Sequence, residues 1–102
     1  MKEDCIITLC GSMRFYHQIL QVAAELTAEG NIVLAPFVIV DGEQQDSRMK
    51  VALDMLHRRK IDMADAVVIV SDESRYIGDS TKAEILYAVQ EGKPVSMRQV
   101  AL

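Results

Sequence analysis

One carboxylate, Glu84, stands at the head of Ala83-Glu84-Ile85-Leu86-Tyr87-Ala88-Val89, with apolar residues on nearly every side of it. A carboxyl group held against apolar walls has its pKa raised and can act as acid, base or nucleophile. The same stretch also has a purely structural reading. Thr81-x-x-Glu84 spells a capping box, in which the glutamate turns back to the amide of the N-cap residue. On local pattern both readings stay open. A second cluster, Gly11-Ser12-Met13-Arg14, follows a short apolar run. If it opens a helix, backbone N–H groups, a hydroxyl and a guanidinium converge on one spot where an anion, most naturally phosphate, is stabilised. The simpler alternative gives Gly11 to the turn and Ser12 to the helix cap. This segment is neither GxGxxG nor GxxxxGK[ST], so neither a dinucleotide-binding enzyme nor a P-loop ATPase is supported. Gly78-Asp79-Ser80-Thr81, just ahead of Glu84, offers another helix N-terminus. His57 reads either as an imidazole near a helix C-terminus or as a site residue facing a pocket. His17, Lys50 and Arg58-Arg59-Lys60 read as solvated surface, the methionines as core filling, and Cys10, at the strand's end before the glycine turn, as a small buried hydrophobe or, alternatively, a partly reactive thiol.

These groups need elements to hold them. Cys5-Ile6-Ile7-Thr8-Leu9 is β-branched and short, and beyond Gly11 the apolar period changes from two to 3.6, which predicts strand, tight loop, helix. The helix over residues 14–29 lines up Phe15, Ile19, Val22, Ala23 and Leu26, with Gly30 as the left-handed residue past its end. Residues 31–35 make a second strand, stopped by Pro36. Val38-Ile39-Val40 reads equally as a short strand or as an apolar loop over a pocket. A helix from about residue 46 places Met49, Leu53 and Leu56 on one face. Ala66-Val67-Val68-Ile69-Val70 is a continuous apolar run of the kind found in a parallel strand covered on both faces. A polar loop over residues 71–80, a substantially buried helix over 81–91 closed by Gly92, and a last strand from about residue 93 complete the order. Alternating strands and helices imply an α/β, doubly wound parallel sheet with right-handed crossovers. Ligands bind such sheets outside the carboxyl ends of the strands, where the strand order reverses. That directs attention to the loops at residues 10–14, 37–46 and 71–80.

Composition sets the outer bounds. The chain has 102 residues, half of them apolar, which suits one domain over residues 1–102 with its own core. No apolar run approaches the roughly 18 residues of a spanning helix, and the first residues make no signal peptide, so a cytoplasmic protein without a membrane role is expected. Fifteen acidic against eleven basic residues argue against a nucleic-acid polymer as partner. The two cysteines, Cys5 and Cys10, would lie roughly 16 Å apart in an extended segment, out of disulfide reach, and they spell no zinc motif.

Four segments taken together, LCGSMRF, KIDMADAVVIV, YIGDSTKAEILYA and EGKPV, resemble the nucleoside 2-deoxyribosyltransferase superfamily, which includes deoxynucleoside 5′-monophosphate N-glycosidases. They occur in the family's order and span nearly the whole chain. The resemblance implies a flavodoxin-like three-layer α/β/α fold with four to five strands, a homodimer or larger homo-oligomer, and cleavage of the bond between a base and a 2-deoxyribose. It implies a small nucleoside or nucleotide as substrate and neither an organic cofactor nor a metal. The family's glutamate nucleophile matches Glu84, and its phosphate-binding loop matches Gly11, Ser12, Met13 and Arg14. Its sugar- or phosphate-contacting segment falls on Gly78, Asp79, Ser80 and Thr81, while Met13 and Phe37 are candidate walls for the base. Two positions depart from the family pattern. Thr8 stands where a tyrosine is common, and His57 stands near the place of the aspartate that serves the leaving base. An imidazole can donate that proton. The other reading of the two departures is a nucleotide-binding or sensing module of the same fold without turnover. A domain this small has little room for a lid, so a closed site is expected to depend on a neighbouring subunit.

Overall fold

The structure, a computed structural model, describes residues 5–36 and 47–100. Strands β1 (Ile6–Cys10), β2 (Ile32–Leu34), β3 (Ala66–Ser71) and β4 (Val95–Gln99) form one parallel sheet in the order β2-β1-β3-β4. Helices α1 (Tyr16–Ala28), α2 (Ser47–Met63) and α3 (Asp79–Gln90) connect them, and a 3-10 turn over Met13–Phe15 leads into α1. This is the expected α/β fold. Val38-Ile39-Val40 falls outside the described residues, and the sheet has four strands among those that are described.

Successive strand side chains point to opposite faces, and here the alternation builds two cores. Ile7 and Leu9 of β1 join Val68 and Val70 of β3 against Ile19, Val22 and Leu26 of α1. The intervening residues, Cys10, Val67 and Ile69, face the other way and pack with Ile61 of α2 and Ala88 of α3. Both faces of β3 are therefore covered, as its unbroken apolar run predicts. Gly30 takes φ +97° just past α1, the left-handed conformation expected of it.

Two expectations about helices are corrected. The inward stripe of α2 does not run through Leu56, which is 53% exposed; His57 is buried instead. Ile61 near the end of α2 and Ala64 just past it are buried and fix its rotation, and one turn back from Ile61 is position 57, so the histidine turns in. Helix α3 starts at Asp79 rather than Thr81 and is not buried all round. It packs by a narrow stripe holding Thr81 and Ala88, while Leu86 and Val89 are 59% and 58% exposed. Its sequence is apolar on more sides than the fold covers.

Gly11 sits where the backbone leaving β1 passes β3. A Cβ there would stand 2.8 Å from the Val70 carbonyl oxygen, a backbone atom that cannot swing aside. Gly11→Ala should destabilise the fold by about 1–3 kcal/mol. Gly78→Ala, whose methyl would meet the Tyr76 hydroxyl at an ordinary 3.6 Å, should cost under about 1 kcal/mol. Urea denaturation of the two variants checks this, and equal midpoints would show that Gly11 is not sterically required.

Candidate active site

The chain leaves β1 for β2 on one side and later returns to β3 on the other, so the strand order reverses between β1 and β3. The loops after these two strands border the crevice that such a reversal opens. They meet directly: the Arg14 guanidinium carbon lies 3.7 Å from the centroid of the Tyr76 ring, and Phe15 packs edge-on against the same ring at 6.3 Å. Ser71 Oγ donates to the Tyr76 carbonyl at 2.8 Å and anchors the second loop to the end of β3. Ser12 Oγ accepts from the Arg14 amide at 3.3 Å, so the capping role foreseen for it is realised. At the start of α3, Gly78 is the N-cap and has no side-chain cap. Lys50 of α2 reaches across to this helix start, donating from Nζ to Ser80 Oγ at 3.0 Å and lying 3.6 Å from Asp54 Oδ2.

With α3 beginning at Asp79, Thr81 is the third helical residue and not a cap, so the capping box is not formed. Glu84 instead lies a further turn along, facing β1 and α2. Its Oε1 is 3.8 Å from His57 Nε2, and His57 Nε2 is 3.1 Å from Cys10 Sγ. The side chains of His57 and Glu84 are 4% and 15% exposed. Burial pushes the Glu84 carboxyl up to about 7; the hydrogen bond from the Cys10 thiol opposes that rise, Asp54 adds to it, and Lys50 and Arg58 oppose it. Burial, with the Lys60 charge, lowers His57 to about 4 against the pull of Asp54. The Cys10 thiol is raised by burial and by the Glu84 charge beside it, so it keeps its proton. Near neutral pH this buried cluster thus holds a thiol, a neutral imidazole and a carboxyl group close to its midpoint. Among the described residues His57 Nδ1 has no hydrogen-bond partner.

The fold brings Glu84 and His57 together and puts Gly11, Ser12, Met13 and Arg14 on the same carboxyl rim as Gly78, Asp79, Ser80 and Thr81. Thr81 is buried and Met13 is half exposed. Phe37 lies outside the described residues. Thr8 is fully buried and donates to the Lys60 carbonyl at 2.8 Å, so it tethers β1 to α2 and does not face the crevice. Of the two nearby aspartates, Asp62 accepts from the Tyr87 hydroxyl and Asp54 lies one turn before His57. A cleft of about 280 Å³ opens beside His57, walled by Pro36, Leu53, Leu56 and Met63. Lys50 is exposed and Cys10 buried, as expected, but Lys50 also serves the helix start and Cys10 touches His57. The 4-3-4 spacing of Lys50, Asp54, His57 and Ile61 is the sequence signal that aligns the first three on one helix face. Local pattern places Cys10 at the strand's end and Tyr76 in the loop before α3, but it does not show that they meet His57 and Arg14.

No protein-family profile and no curated protein matches the sequence. Among solved structures, a 2-deoxyribosyltransferase from the psychrotolerant bacterium Bacillus psychrosaccharolyticus matches with a TM-score of 0.72, covering 90% of this chain and 70% of that one at 17% identity. The chain shares that enzyme's fold. The enzyme is described as a biocatalyst for making antiviral and antitumoral nucleosides. The doubly wound architecture read from the sequence and the superfamily resemblance agree with this match. No helix among the described residues is long and apolar enough to cross a membrane.

Glu84 imposes a cost on the fold that depends on pH. Its folded pKa lies above the ordinary 4.5, so the native state holds the proton more tightly than the unfolded chain, and stability falls as pH rises from about 4.5 through 7. Glu84→Gln should therefore raise stability by roughly 1–3 kcal/mol at pH 8, and the gain should fade by pH 5. Melting temperatures of both proteins at the two pH values check this; an equal difference at both would contradict the buried-carboxyl account.

Proposed function

We propose that the chain cleaves the N-glycosidic bond of a deoxynucleoside, nucleotide or related N-ribosyl compound, with Glu84 as nucleophile. The observation that carries the reading is the placement of a buried, pKa-raised glutamate beside His57 on the ligand-binding rim of this fold. Ionised Glu84 attacks C1′ of the sugar, the C–N bond breaks, and the base leaves with the bonding pair. Water or a second base then attacks C1′ and frees the carboxylate, so configuration is retained. His57, whose Nε2 lies 3.8 Å from Glu84 Oε1, is the proton donor to the leaving base and recovers its proton from the water or second base that attacks next. Arg14, Ser12 and the amides at Gly11 and at the start of α3 receive the phosphate or sugar, which favours 5′-monophosphates over free nucleosides.

The test incubates the protein with deoxynucleosides, their 5′-monophosphates and NAD and measures free base by chromatography. Base release should fall at least about a thousandfold in Glu84→Gln. Arg14→Ala should raise KM for a monophosphate by about tenfold and leave that for the nucleoside unchanged. Undiminished release by Glu84→Gln would remove the nucleophile assignment. Binding without release would favour the second reading, a non-catalytic nucleotide-binding module, which the engagement of Thr8 with Lys60 also favours because that position offers the crevice no side chain. Free nucleosides cleaved faster than monophosphates would sink the phosphate preference.

Self-association is part of the same reading. Helices α2 and α3 leave Val51, Met55, Leu86 and Val89 more than half exposed, and apolar surface of this kind marks interaction sites. Sedimentation velocity at micromolar concentration should give a homodimer or larger species, and a monomer would contradict it.

A further inference from the structure

Cys10, His57 and Glu84 belong to three elements, β1, α2 and α3, and the reading above uses only two of them. Sγ, an imidazole nitrogen and a carboxylate oxygen, one from each, all lie within 4.8 Å of one another. We propose that this trio is a binding site for a thiophilic divalent cation, zinc above all, which occupies the crevice in competition with substrate. The donor set is one soft sulfur, one imidazole and one carboxylate, and three protein ligands with an open fourth position are the pattern of accessible zinc sites. Tetrahedral zinc at ordinary bond lengths separates a sulfur from a nitrogen ligand by about 3.5 Å and a nitrogen from an oxygen ligand by about 3.3 Å. The corresponding separations here are 3.1 Å and 3.8 Å, so these two pairs adjust by about half an ångström, while the third, sulfur to carboxylate oxygen, lies within 4.8 Å. Binding converts the Cys10 S–H to a thiolate and protonated Glu84 to a carboxylate, and releases those protons to solvent. Thiolate and carboxylate together then balance the two charges of the cation. Asp54, the preceding acid on the same face of α2, adds negative charge, partly offset by Lys50, which lies 3.6 Å from it and donates to Ser80.

Metal binding itself does not depend on the catalytic reading; its inhibitory effect rests on Glu84 being the nucleophile. The probe is Co²⁺ added to the chelator-treated protein. One equivalent should bind, with intense tetrahedral d–d bands and a near-ultraviolet thiolate-to-cobalt band, both removed by one equivalent of Zn²⁺. Cys10→Ser should lose the thiolate band, Cys5→Ser should keep it, and His57→Gln should weaken binding at least tenfold. Circular dichroism of each variant establishes that it is folded. If Cys10→Ser is not folded, Glu84→Gln takes its place and should likewise weaken cobalt binding at least tenfold. Absence of the band in the folded parent protein, or its loss in Cys5→Ser and survival in Cys10→Ser, would overturn the site. If base release is found, Zn²⁺ should raise KM for the substrate at least tenfold at saturation, with chelator restoring it. Cobalt binding without that effect would refute the competition and leave the metal site standing.

Discussion

Direct parallel pairing of β1 with β3 is the constraint on which the other features hang. Because Leu9 stands beside Val68 and Cys10 beside Ile69, the two central strands share one alternation, and their side chains sort into the same two cores. Each core then needs helices on its own side, α1 on one face and α2 with α3 on the other. The pairing also brings the loops after the two strands to the same edge, so the stack of Arg14 on Tyr76 is a consequence of sheet register. Gly11 belongs to the same constraint, since the strands can run this close only where the chain leaving β1 has no side chain.

The fold was legible because it rests on long-wavelength signals. The unbroken apolar run of β3, the glycines after α1 and α3, and the change of period after Gly11 each report a local physical requirement that tertiary packing obeys. Helix rotation was less legible. In α2 the apolar stripe read through Leu56, but burial at Ile61 and Ala64 turned the neighbouring histidine inward; composition alone cannot tell which of two adjacent residues faces a sheet not yet placed. In α3 the apolar residues outnumber the positions the sheet covers, and the sequence does not say which ones are left to solvent.

The candidate site shows the same division. Glu84 and the glycine-serine loop could be picked out because a lone carboxylate among apolar neighbours and a glycine before a helix are local anomalies. Cys10 could not, because its significance lies entirely in residues 47 and 74 positions further along the chain. In the proposed reading the site is also electrically economical: an acidic chain needs no basic surface to receive a small anion when helix amides and one stacked guanidinium share a single rim.

Thr8 and His57, the two positions where the sequence departs from the motifs it resembles, are tied to one another in the structure. Thr8 bonds the carbonyl of Lys60, three residues after His57, and Lys60 in turn donates from Nζ to the Ala35 carbonyl beyond β2. Thr8 is also two residues before Cys10, so the strand and helix are pinned to each other about one turn from the place where Cys10 meets His57. Positions 8 and 57 are therefore mechanically coupled: a larger side chain at the fully buried position 8 has no room without displacing the helix that carries His57.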